Sequence, residues 1–220
     1  MDAIKVCDLF DLTHTRAAKM LAACEYPWEA LSKIGETVLA IGQGLDLGDY
    51  DHPAEDVWIA KTATVAATAS ITGPCVIGEK TEVRPGAFIR GNVLVGDGAV
   101  VGNSCELKNC ILFDEVQTPH YNYVGDSVLG YKAHMGAGAV TSNVKGDKKN
   151  VVVHGERDYE TGRKKFGAML GDFAEIGCNS VLNPGTIIGR DSQVYPLSSV
   201  RGVVKARHIV KGARGAFAKD

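Results

Sequence analysis

Aliphatic or aromatic residues recur every six positions through the middle of the chain, at Ile59, Val65, Ile71, Ile77, Val83, Ile89, Val95, Val101, Leu107 and Phe113. After a break, Leu129 and Met135 return to a hydrophobic beat, and Leu170, Ile176, Leu182, Ile188, Val194 and Val200 restore the six-residue step. A period of six matches neither a helix nor a plain alternating strand. It reads as a short strand and a tight turn, repeated, with three units closing a triangular coil of about 18 residues. Each coil buries its inner residues only by stacking on its neighbours. Glycine or asparagine near many marked residues, as in IGEKTE, VGDGAV and IGCNSV, supplies the left-handed backbone angles of the corners. A β-sandwich with glycine turns would space its strands irregularly, and eighteen in-step positions argue against it.

Three stretches depart from the beat. Residues 1–52 read as an N-terminal helical segment, with HTRAAKMLAAC and PWEALSKIGETVLAIGQGL as its helices. In the second, Trp28, Leu31, Ile34, Val38, Leu39 and Ile41 fall at helical spacing, Pro27 suits a first turn, and Gly42 and Gly44 end it. That stripe marks packed core or a cover for an open end of the stack. The repeat domain spans residues 53–204, interrupted at about 144–166 by a polar insertion whose NVVVHG has strand character. Residues 205–220 form a basic C-terminal extension, expected to run along the surface.

Composition narrows the function. A formal charge of -2 gives no footprint for nucleic acid or an anionic membrane. No apolar run approaches the roughly 18 residues of a membrane span, and the acidic N-terminus does not resemble a signal peptide. Six scattered cysteines without a CxxC pair suit reduced thiols in a cytoplasmic protein better than disulfides or a zinc site.

Spacing then suggests chemistry. Arg90 and Lys108 lie 18 apart, on one face of adjacent coils, which fits either a phosphate or carboxylate site or two solvated charges. His120 and Tyr123 follow in QTPHYNYVGDS, where the ladder loses two residues of phase between Phe113 and Leu129. An outward bend there would project His120 from its wall.

The repeat resembles the hexapeptide family, whose fold is a left-handed parallel β-helix. The handedness is implied by that resemblance, since parallel crossovers are ordinarily right-handed. The order ELKN, HYNYVGD, GAGAVTSN and KKFGAMLGD over residues 57–204 is more specific. It resembles the acetyltransferase domain of the bifunctional N-acetylglucosamine-1-phosphate uridyltransferase/glucosamine-1-phosphate acetyltransferase. The sequence carries no nucleotidyl-transfer loop, so only acetyl transfer is expected. The resemblance implies acetyl-CoA as co-substrate, an amino-sugar phosphate as acceptor and a homotrimer with sites between neighbours. It makes His120 the general base, accepting a proton as the amine attacks the thioester. Lys108 and Tyr123 match residues that hold the sugar phosphate. Arg90 matches a third by coil register and Arg84 by its RPG context, register being preferred. Asn143 matches a sugar-contacting asparagine, Lys165 a lysine near the substrate, and Cys178 a serine close to acetyl-CoA. Backbone N–H groups around Gly136, Ala137 and Gly138 would serve a developing oxyanion, although β-helix corners also simply favour small residues. His134 stands where the family has asparagine, which bears on the identity of the sugar.

Two rivals remain. A γ-carbonic-anhydrase-like protein would bind zinc through His120, His134 and His154, but that family's RGD has Asn92 here and its close histidine pair is missing. The expectation is therefore no metal. The other rival is a sugar-phosphate-binding homologue without turnover.

Overall fold

The computed structural model describes residues 3–212 and 215–219. Its body is a parallel β-solenoid with three walls. The inward positions of the first wall are Ile59, Ile77, Val95, Leu112, Leu129, Leu170, Ile188 and Val204, paired coil to coil. The second wall stacks Val65, Val83, Val101, Thr118, Met135, Ile176, Val194 and Val210. The third stacks Ile71, Ile89, Leu107, Val124, Thr141, Leu182 and Val200. This is the fold the periodicity implies, with the left-handed sense implied by the family resemblance.

The break in the beat has a different cause from the expected one. First-to-second and second-to-third steps are six residues throughout. Every irregularity falls at the corner from the third wall to the first. Leu107 to Leu112 and Val124 to Leu129 each take one residue fewer, so strands Glu106–Leu112 and Tyr123–Leu129 run continuously through a tightened corner. Asn109 and Asp126 make that turn at φ 49° each, in the left-handed region that short polar residues tolerate. Leu112 therefore holds the ladder position expected of Phe113, and Phe113 packs instead against Phe10, their ring centres 5.2 Å apart. His120 sits at a corner of ordinary length, with no outward bend.

The first wall is apolar on both faces. Its outward column, Trp58, Val76, Leu94, Ile111, Val128, Met169 and Ile187, is buried. The N-terminal segment covers it along the side, rather than capping an end. Helix Ile34–Gln43 lies against strands Cys75–Ile77, Val93–Val95 and Glu106–Leu112. Trp28, Leu31, Ile34 and Val38 are buried as the stripe implies. Backbone bonds from Asp114 to the His14 carbonyl and from Asp172 to the Leu9 carbonyl tie the segment down.

At each end one wall's outermost strand is covered by an antiparallel partner, which occupies an edge that would otherwise stay open. Tyr50–Ala54 pairs with Val57–Ala60 at one end, and Ala216–Ala218 with His208–Val210 at the other. The stack thus continues past residue 204, because Val210 keeps the six-residue step. The insertion leaves at the irregular corner and forms a hairpin, Val152–His154 with Asp158–Glu160. It folds back on the molecule: Val151 and Val153 are buried, and Tyr159 lies near Tyr26 and Trp28.

Candidate active site

Parallel stacking turns sequence spacing into columns about 4.8 Å apart per coil. One column follows the corner between the second and third walls. The Tyr121 N–H donates to the Asn103 carbonyl, Gly138 to His120, Asn179 to Ala137, and Leu197 to Cys178. His120, Ala137 and Cys178 therefore occupy equivalent corner positions on successive coils. Two coil steps put the His120 and Cys178 backbones roughly 10 Å apart. His120 and Cys178 are exposed, and the His120 imidazole has no hydrogen-bond or ion-pair partner among the described residues.

The backbone donors around residue 136 are not equivalent. The Gly136 N–H is spent on the Ile176 carbonyl at 2.6 Å, and Gly138 on His120 at 3.0 Å. Only the N–H of Ala137 among these three lacks an acceptor among the described residues. The small residues here thus serve corner geometry first, and one donor is left over.

The third wall carries the cations. Arg90 and Lys108 sit in adjacent coils of one column, Leu107 pairing with Ile89. Each meets a carboxylate: Arg90 bonds Glu106 at 2.6 Å, and Lys108 bonds Asp126 at 3.0 and 3.2 Å. The Arg90 guanidinium also lies over the Phe88 ring. Arg84 is elsewhere, beside the second-to-third corner and bonded to Glu82 at 3.0 Å. Tyr123 is half-buried, and its hydroxyl accepts a bond from Asn143 Nδ2 at 3.1 Å. Burial foremost, then the Asp126 and Glu106 carboxylates, raise its pKa, so the phenol stays protonated and can donate. Gly125 intervenes because a Cβ there would collide with the Tyr123 hydroxyl.

Lys165 is exposed at the end of the insertion, next to Phe166, whose N–H bonds the Asn143 carbonyl. His134 lies apart, on the second wall, with its Nδ1 2.8 Å from Glu175. There it lines a groove with Gly136, Glu175, Cys178 and Tyr195. The structure thus gathers Lys108, Tyr123 and Asn143, with Arg90 and Lys165 adjoining. It sets His134, Gly136 and Cys178 on the far side of the His120 edge. His154 is in the hairpin, bonded to Asp158 at 2.8 Å. His120, His134 and His154 form no cluster, and no group of three His, Cys, Asp or Glu side chains among the described residues is placed to hold a metal.

Asp126 does not stand out in the sequence, although it closes the HYNYVGD motif. Its spacing of 18 from Lys108 is the available signal. No described helix is long and apolar enough to cross a membrane.

Residues 71–157 match the family model of the GMPPB C-terminal domain. The bifunctional protein GlmU of Methanococcus aeolicus is 33% identical over 173 residues, 70% of this chain and 42% of that protein. A bifunctional sugar-1-phosphate nucleotidylyltransferase/acetyltransferase of Sulfurisphaera tokodaii is 33% identical over 71% of this chain and 44% of its own length. The chain is thus similar to these two proteins over about 70% of its own length. It spans less than half the length of these two relatives. Among solved structures, a mutant of perosamine N-acetyltransferase from Caulobacter crescentus, in complex with CoA and GDP-perosamine, aligns over 74% of this chain and 56% of that one. That alignment has 18% identity and a TM-score of 0.40. The acetyltransferase domain of PglB from Neisseria gonorrhoeae with acetyl coenzyme A aligns at 16% identity, covering 74% and 57% of the two chains, with a TM-score of 0.32.

Proposed function

We propose that the chain is an acetyl-CoA-dependent N-acetyltransferase acting on an amino-sugar phosphate of the glucosamine-1-phosphate type. The observation that carries this reading is the juxtaposition along one solenoid edge. The His120 imidazole, without a partner among the described residues, stands between a wall carrying Arg90, Lys108 and Tyr123 and a groove lined by Gly136 and Cys178. In this reading Arg90, Lys108 and Tyr123 hold the phosphate, Asn143 and Lys165 contact the sugar, and the groove past Gly136 takes the pantetheine arm.

The chemistry needs little else, because a thioester is already activated. Neutral His120 takes a proton from the sugar ammonium, freeing the nitrogen lone pair to attack the acetyl carbonyl. The oxyanion receives the N–H of Ala137. Collapse breaks the C–S bond, the thiolate takes the proton that His120 holds and leaves as CoA thiol, and the acylated nitrogen gives its extra proton to the freed imidazole and on to solvent. His134, which stands where the family has asparagine, is held by Glu175 and borders the groove that takes the acetyl-CoA arm.

A homotrimer completes the proposal. Large apolar side chains are exposed on and beside the His120 edge, with Tyr121 65% and Leu197 79% accessible, and Phe88, Val181 and Tyr195 close by. A neighbouring copy would cover such an edge. Localisation in the cytoplasm accords with the free thiols.

The test is thiol release from acetyl-CoA with a panel of amino-sugar phosphates. Wild type should turn over at least one, and His120→Ala should lower kcat by about 10²–10⁴-fold. No transfer to any acceptor would remove the enzymatic reading, and an unimpaired variant would remove the base.

A further inference from the structure

Asp126 is a carboxylate in a costly place. Its side chain is only 5% exposed, and burying a charge there is tolerated only with several good partners. It has them. Lys108 Nζ donates to both oxygens, Asn109 Nδ2 donates to Oδ1 at 2.9 Å, and Asn143 Nδ2 donates to Oδ2 at 2.5 Å. Asn143 Nδ2 also reaches the Tyr123 hydroxyl, and Asn109 Nδ2 also reaches the Leu31 carbonyl at 3.1 Å, in the N-terminal segment.

The tightened corner makes this network possible. Lys108, Asn109 and Asp126 lie where the coil drops a residue, and Asn143 lies at the same corner one coil on, where the insertion leaves; together their polar ends meet at one point. Arg90 and Lys108 each already have a carboxylate, so this pair offers little excess positive charge. Binding a phosphate there depends on where the donors point rather than on how much charge is present.

We infer that Asp126 is the positioning residue of the phosphate subsite, acting through Lys108, Asn143 and Tyr123 without touching the substrate. The inference rests on the acetyltransferase reading above for its substrate. Asp126→Asn keeps the shape and suits the left-handed backbone, but sets an amide donor against the donors it served. Asn109→Gly is a second variant, in which glycine suits the same backbone region and one strut of the network is lost.

Steady-state kinetics on purified protein test this, with the panel member that wild type acetylates best. Asp126→Asn should raise KM for the amino-sugar phosphate by about tenfold or more, with acetyl-CoA KM within about twofold. Asn109→Gly should raise the same KM several-fold. In a Lys108→Met background the Asp126→Asn effect should shrink to less than about twofold, because the partner through which it acts is gone. A merely structural role would instead give an additive loss in both KM values. Unchanged sugar-phosphate KM in both variants, or full additivity with Lys108→Met, overturns the inference while leaving the transferase reading intact. Should wild type acetylate nothing, titration calorimetry with inorganic phosphate and glucosamine 1-phosphate reads the network directly. Binding by wild type that Asp126→Asn weakens supports the positioning role apart from turnover. Equal binding by both, or none by wild type, overturns it.

Discussion

At the scale of single residues, function concentrates where side chains meet across coils rather than along the chain. Gly125 shows how little room the arrangement leaves, since its missing side chain makes space for the Tyr123 hydroxyl and Asn143. Gly125→Ala should displace that hydroxyl and raise the amino-sugar phosphate KM by roughly tenfold, while the melting temperature moves by only a few degrees. Kinetics beside a thermal melt would check both parts. Of the site residues, Lys108, Tyr123 and His120 stand out in the sequence because they break a regular pattern with charge and aromaticity. Asp126 does not, because an aspartate after a glycine in a turn looks ordinary until its burial is known.

Among elements, the strap formed by the N-terminal segment hangs on Asp172. Its buried carboxylate accepts the N–H of Asp11 at 2.7 Å and of Tyr131 at 2.9 Å, and pairs with Arg190 at 3.0 Å. Burial, outweighing the two N–H bonds and Arg190, lifts its pKa above the ordinary 3.8. With the folded value raised, the fold binds the proton more readily than the unfolded chain. The stabilisation this gives is full below the unfolded pKa and is lost as pH rises through the folded one. The melting-temperature difference between wild type and Asp172→Asn should therefore shift in wild type's favour as pH is lowered from neutral toward 4. A pH series of thermal melts measures it, and a difference that shifts the other way would contradict the burial argument.

Taken whole, the molecule is a solenoid with one apolar side sealed by its own N-terminal segment and another edge left open beside His120. The seal is anchored by Trp28, which is 4% exposed and packs on Tyr26 and Phe166. Trp28→Ala should cost about 3–5 kcal/mol. Because the segment covers the apolar outer column of the first wall, the variant should also bind a hydrophobic dye. Denaturant titration and dye fluorescence together would show whether the strap loosens with the loss of stability.

The stacked architecture was legible in the sequence because a six-residue period is local: each inward position must be apolar whatever lies above it. Columns set before any residue is dropped were legible for the same reason, as with Arg90 beside Lys108, which follow the paired Ile89 and Leu107. What tertiary structure alone decided is where residues are dropped. A single missing residue shifts every later position, yet the sequence shows only that phase is lost somewhere between two clear beats. Hydrogen bonds between coils settle the place, the corner of Asn109 and Asp126, and so move the irregularity away from His120. The covering of the first wall is likewise a long-range matter, since apolar triplets such as CVI and VLV say that both faces are buried, but not by what. The break in the beat near His120 belongs physically to the corner of Asn109 and Asp126, where a shortened turn and a buried carboxylate converge.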